Sequence, residues 1–115
     1  MISEHFARSE FKCKCGCDYD TVDYDLLLIL EAVRSHFGKP ITISSGCRCV
    51  SHNAAVGGSD RSQHLYGRAA DIIVSDTDPL LVYDLVDQMG VGGAGLYSGW
   101  VHVDSRTNGP ARWQG

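Results

Sequence analysis

The chain has no apolar run long enough to cross a bilayer, which excludes a helical membrane anchor within it. It has no excess of basic residues. Ten Lys and Arg stand against 14 Asp and Glu, for a net charge of −4. Without a basic stripe, nucleic acid and anionic membranes are poor partners. Internal repeats, low-complexity tracts and linkers are missing as well, and 115 residues suffice for one domain with a modest core, expected over residues 1–115. The opening MISEHFARSEF carries no apolar core and does not read as a signal peptide. The expectation is therefore synthesis in the cytoplasm, with any outside target reached after release or as part of a particle. A monomer is expected.

Five cysteines are many for this length, and the number is odd. Cys13, Cys15 and Cys17 alternate with other residues, and Cys47 and Cys49 repeat that spacing. Alternate residues of an extended segment share a face, so each group can present its thiols together. Three readings stand side by side. Disulfides need an oxidising compartment and leave one thiol over. A structural metal site is the second, although C-x-C-x-C is not the C-x2-C spacing of common zinc ribbons. Small buried apolar side chains are the third.

The periodicity predicts a helix from Asp20 to Phe37, with Leu26, Leu27, Leu30, Val33 and Phe37 on one face and Gly38 and Pro40 ending it. Ile41 to Ser44 reads as a short strand, residues 50–58 as a short helical turn, and Ser59 to Gly67 as a polar loop. Ala69 to Val74 reads as a central strand. Asp78-Pro79 opens a helix that runs to Met89, with Asp as cap and Pro at the first position. The glycine-rich stretch from Gly90 to Gly95 leads into a hairpin of Leu96-Tyr97 and Trp100 to Asp104, turned at Ser98-Gly99. The tail from Ser105 reads as irregular. Links this short favour an α+β fold, a small mainly antiparallel sheet with flanking helices.

The chemistry concentrates in Ser62-Gln63-His64-Leu65-Tyr66-Gly67-Arg68-Ala69-Ala70-Asp71 and in Trp100-Val101-His102-Val103-Asp104. Two imidazoles and a carboxylate in an H-x6-D…H arrangement suit a zinc ion that keeps a fourth position open for water, and such sites hydrolyse. A lone histidine on a strand is more often structural. Asp71 inside the apolar run AADIIV is different, because a carboxylate on a buried strand is costly unless it is paired or ligates a metal.

Ser62-x-His64-x-x-Gly67-x-Ala69-x-Asp71, preceded by Ser45-Gly46-Cys47-Arg48 and followed by Val101-His102-Val103-Asp104, resembles the zinc D-Ala-D-Ala carboxypeptidase and L-alanyl-D-glutamate endopeptidase family. The likeness runs from about Phe11 to Trp113. The Phe11 to Cys17 opening and the closing Asn108 to Trp113 resemble small phage and prophage members. The resemblance implies a hedgehog/DD-peptidase-like fold, with His64, Asp71 and His102 as zinc ligands. It implies that Arg48 faces the metal, where a guanidinium stabilises charge on the scissile carbonyl oxygen. The substrate would be a peptidoglycan stem peptide, with Ser62, Gln63, Tyr66 and Trp100 as candidate substrate contacts. The setting implied is the cell wall, in phage lysis or entry.

One position departs from the pattern. Relatives carry Asp or Glu three residues before the final histidine to move the proton. Here that residue is Gly99. Asp104 is the favoured replacement, on the same strand face as His102. Its ordinary alternative is a partner for a histidine or for Arg48. His52, Tyr66 and Tyr97 are other candidates for the base. The rival class is a non-catalytic, zinc-stabilised module that binds cell-wall peptide or a protein partner.

Overall fold

A computed structural model describes residues 1–115, in which five strands form one sheet. In chain order the elements are α1 (Tyr24–Phe37), β1 (Ile41–Ser45), α2 (Val50–Ala55), β2 (Ala69–Val74), α3 (Pro79–Met89), β3 (Gly93–Leu96), β4 (Val101–Asp104) and β5 (Ala111–Gln114). The strands lie in the order β1-β2-β4-β3-β5, all antiparallel except β3 with β5. This is the expected α+β architecture.

Alternation along each strand separates the two faces of the sheet. Ile41, Ile43, Ala70, Ile72, Val74, Val101 and Val103 point to one side and join Leu26, Leu30 and Val33 of α1 and Val82 and Val86 of α3 in one core. Each such side chain contributes about 1.5–3 kcal/mol through removal from water. The residues between them, Asp71, His102 and Asp104, share the opposite face. Helices α1 and α3 cover the apolar face, and the other becomes the floor of a cleft.

Three elements differ from the sequence expectation. The first helix starts at Tyr24, because the backbone of residues 20–23 is committed elsewhere. The Asp23 N–H donates to Gly67 O at 2.8 Å, and Asp20 O accepts from Arg8 Nη1 at 3.1 Å. The glycine-rich stretch is itself a strand, β3. A β-carbon at Gly93 would lie 2.2 Å from Asp104 Oδ2, and one at Gly95 would lie 2.4 Å from the Trp113 ring. Glycine is what lets those side chains cross the strand. Finally, the tail is not irregular. Residues 111–114 pair in parallel with β3, Gly93 opposite Ala111 and Leu96 opposite Gln114. The hairpin turn at Ser98-Gly99 lies where expected, closed by Tyr97 N–H to Trp100 O at 3.1 Å.

Candidate metal centre and cleft

Antiparallel register puts Asp71 directly opposite His102. Side chains so paired have β-carbons about 4.5–5.5 Å apart. His64 arrives from a single 3-10 turn, Gln63–Tyr66, which Ser62 caps by accepting from the His64 N–H at 3.2 Å. His64 and His102 are buried.

Hydrogen bonds orient both rings. His64 Nδ1 donates to Gly46 O at 2.6 Å, so Nε2 faces Asp71 Oδ1 at 3.4 Å. His102 Nε2 donates to Asp104 Oδ2 at 2.7 Å, and its Nδ1 faces the same Asp71 oxygen at 3.3 Å. Partners on the far ring nitrogen set the tautomer and aim the near lone pair. Burial pushes the Asp71 carboxyl up, but its bonds to His102 and His64 outweigh that and hold it well below the usual carboxylate range. Burial pushes His102 down, yet carboxylates on both its nitrogens, Asp104 and Asp71, leave it raised overall. A metal held at this ring would require Nδ1 to be unprotonated.

The three donor atoms lie within 4.8 Å of one another. Two imidazole nitrogens and one carboxylate oxygen, each ring anchored from behind, form a donor set that fits zinc and leaves a position for substrate or water.

Arg48 lies beside this centre. Its Nη2 reaches Asp71 Oδ2 at 3.5 Å, Nε donates to Ser45 Oγ at 3.1 Å, and Nη1 donates to Asn53 Oδ1 at 3.3 Å. Asn53 is buried and donates to Ser59 O at 2.7 Å. The guanidinium is thus held on three sides.

Asp104 does not occupy the place of the missing base. It is fully buried, with Oδ2 taken by His102 and Arg106 Nη2, each at 2.7 Å. Oδ1 accepts from Arg106 Nε at 2.8 Å and from the Arg106 N–H at 3.1 Å. Burial raises its carboxyl, and the bonds from His102 and Arg106 bring it well below its ordinary value. Its oxygens are taken up by His102 and Arg106, and it does not line the cleft.

A cleft of about 550 Å³ opens over the centre, lined by Ser62, Gln63, Tyr97 and Trp100 among others. Gln63 Oε1 is buried there with no hydrogen-bond partner. Trp100 stacks on Tyr97 at 4.6 Å with 6° between the planes. Tyr66 departs from expectation: it is exposed and lines a separate depression with Tyr19, Val50 and Leu65. Two residues along the 3-10 turn set it about two-thirds of a turn from His64. His52 does not line the cleft either. The sequence reading passed over Arg61, Arg106 and Trp113, which do. Trp113 lies 4.9 Å from the His102 ring and donates to Tyr97 Oη at 2.9 Å. An Arg-Trp pair in a polar tail was the available signal.

A family model described as Peptidase M15 matches residues 4–104. The chain belongs to the peptidase M15 family. Over 44 residues it is 50% identical to the zinc D-Ala-D-Ala carboxypeptidase of Streptomyces albus G. That alignment takes in 37% of this M15 chain and 17% of the carboxypeptidase. The model's five-stranded sheet and three helices are consistent with an M15 fold. No helix of this M15 protein is long and apolar enough to cross a membrane.

Proposed function

We propose that this M15 protein is a zinc peptidase that hydrolyses peptide bonds in peptidoglycan stem peptides, with His64, Asp71 and His102 as the zinc ligands. The observation that carries the reading is the convergence of those three donors on the cleft floor with Arg48 beside them. Zinc bound there supplies a Lewis acid and activates water at neutral pH.

The chain's own residues do the rest. Arg48 presents fixed N–H donors to the oxygen on which negative charge grows during attack. Asp104 holds the His102 ring in place, and Arg106 holds Asp104. Gln63 lines the cleft beside His64 and bounds the space open to the peptide. The stacked Tyr97–Trp100 pair forms a flat apolar wall against which a short peptide lies. Arg61 lies at the cleft, exposed and without an ion-pair partner. Stem peptides carry free carboxylates, and Arg61 reads one of them. The proposed setting is the cell wall, reached after release or as part of a phage particle.

A specific feature favours the rival binding module. The carboxylates at the centre, Asp71 and Asp104, are both engaged, and none stands at Gly99. The discriminating experiment incubates the zinc-loaded protein with a D-Ala-D-Ala-ended stem pentapeptide and an L-Ala-D-Glu-containing muropeptide, and identifies fragments by mass spectrometry. Cleavage of either, abolished in His102→Ala, is expected. Saturable binding of both peptides without cleavage would replace the peptidase with the binding module.

A further inference from the structure

The cysteines form a second converging donor set, separate from the histidines. Cys13, Cys15, Cys17 and Cys49 bring their Sγ atoms within 4.8 Å of one another. Cys13 and Cys15 are 3.5 Å apart at sulfur, and Cys15 and Cys49 are 3.6 Å apart. Four sulfurs bound tetrahedrally at a metal–sulfur distance of about 2.3 Å stand about 3.8 Å from each other. The observed spacing is that of four ligands around one centre rather than of two separate pairs.

Cys47 is not among them. Its thiol turns inward and donates to Tyr19 O at 3.0 Å and Phe11 O at 3.1 Å. Removing it resolves the odd count: four thiols cluster and one is a buried donor. The clustered sulfurs have their own support. The Cys49 N–H donates to Cys13 Sγ, and the His52 N–H donates to Cys49 Sγ, each at 3.4 Å. Backbone donors of this kind orient and stabilise thiolates around a cation.

The segment that carries three of the sulfurs has little else to hold it. Residues 12–19 contain no helix or strand. Gly16 and Asp18 both have left-handed backbone, with φ of 87° and 69°. A non-glycine residue there costs on the order of 1 kcal/mol and persists where its surroundings enforce it. Cys15 and Cys17 are exposed, so apolar packing does not enforce it.

We propose that Cys13, Cys15, Cys17 and Cys49 bind one structural zinc ion, distinct from the His64–Asp71–His102 centre. Each thiol releases its proton to solvent on binding, and four sulfur ligands fill a tetrahedral shell with no open position. The ion clamps the 13–17 loop to Cys49, the N-terminal cap of α2. Cys49 directly follows Arg48, whose own N–H is fixed to His64 O at 2.9 Å. The clamp therefore fixes the backbone on one side of the cleft arginine, and the His64 carbonyl fixes its own N–H.

The test counts metals per chain in protein purified under reducing conditions with zinc supplied. Two zinc ions are expected in the parent, one in His102→Ala, one in the Cys15→Ser/Cys17→Ser double variant and two in Cys47→Ser. Cobalt(II) replacement supplies a second readout on the parent and on His102→Ala, neither of which disturbs the cysteines. Both should show near-ultraviolet thiolate-to-cobalt charge transfer, and the double variant should lose it. A single metal in the parent that disappears with His102→Ala would overturn the proposal. So would disulfides among the four cysteines in mass maps of protein purified without reductant and alkylated unreduced, or absence of the charge-transfer band from the parent. Cysteine-dependent iron in place of zinc would overturn the identity of the metal.

Discussion

The histidine–aspartate centre and the cysteine cluster each gather their donors within the same 4.8 Å, but different things hold them there. Asp71 and His102 sit on paired strands whose other faces are locked into the core, and His64 is bonded to the Gly46 carbonyl. Strand pairing, core packing and a hydrogen bond from the ring thus fix that geometry. Three of the four thiols sit on a loop whose local ties are a 2.7 Å Cys13 N–H to Tyr19 O bond, a Gly16 to Cys13 turn and an exposed Lys12–Asp18 pair. A reactive site gains from a rigid frame that leaves one position free. A structural site can take its rigidity from the ion.

The strongest test of that contrast is metal removal. Chelation should abolish turnover while leaving the amides of β2 and β4 protected from hydrogen exchange and opening those of residues 12–19. Equal loosening of both regions would break the comparison. Arg48→Ala should lower kcat about 10²–10³-fold. Both zinc ions should remain bound, as elemental analysis would show. Asp104→Asn probes the support behind a strand-borne ligand. Zinc affinity at the histidine centre should fall about 10–100-fold, measured by competition with a coloured chelator, with the cysteine site unaffected. Gly93→Ala sharpens the same point from the backbone side. The added methyl meets Asp104 Oδ2, and such overpacking costs about 1–3 kcal/mol in urea unfolding.

The smallest effect is expected at the N-terminal strap. Glu31 accepts from the His5 N–H at 2.8 Å, and His5 Nδ1 lies 2.6 Å from its other oxygen. Burial raises the Glu31 carboxyl, but the neighbouring Ser3 hydroxyl and the bonds to His5 bring it below its ordinary value. A depressed folded-state pKa adds stability above the unfolded value and loses it as pH falls through the folded one. Glu31→Gln should therefore cost about 0.5–1 kcal/mol near neutrality, and the difference should shrink as pH falls below the ordinary glutamate value and through the lowered folded-state one.

What could be read in advance followed from burial. Ile41 to Ser44 and Ala69 to Val74 are β-branched and apolar, and they proved to be strands. Asp71 stood out because a carboxylate in AADIIV needs a reason, and Asp78-Pro79 marked its helix through capping chemistry. The strand β3 was hidden because its residues were selected by what crosses them, Asp104 and Trp113, and glycine has little strand preference of its own. β5 was hidden because ARWQ carries no alternation, and its pairing is long-range. The cysteines show the limit of counting spacings. Cys47 and Cys49 share a face only if the chain stays extended, and the chain turns there from β1 into α2, sending one thiol inward and the other to the helix cap.

The register of β2 against β4 has a consequence for how the molecule is assembled. A slip of one residue sends His102 into the apolar layer and brings Val101 or Val103 opposite Asp71. A chain paired in that way has no converging donors to offer. The alternation that builds the core and the alternation that gathers the donors are therefore a single constraint, and no other register satisfies both.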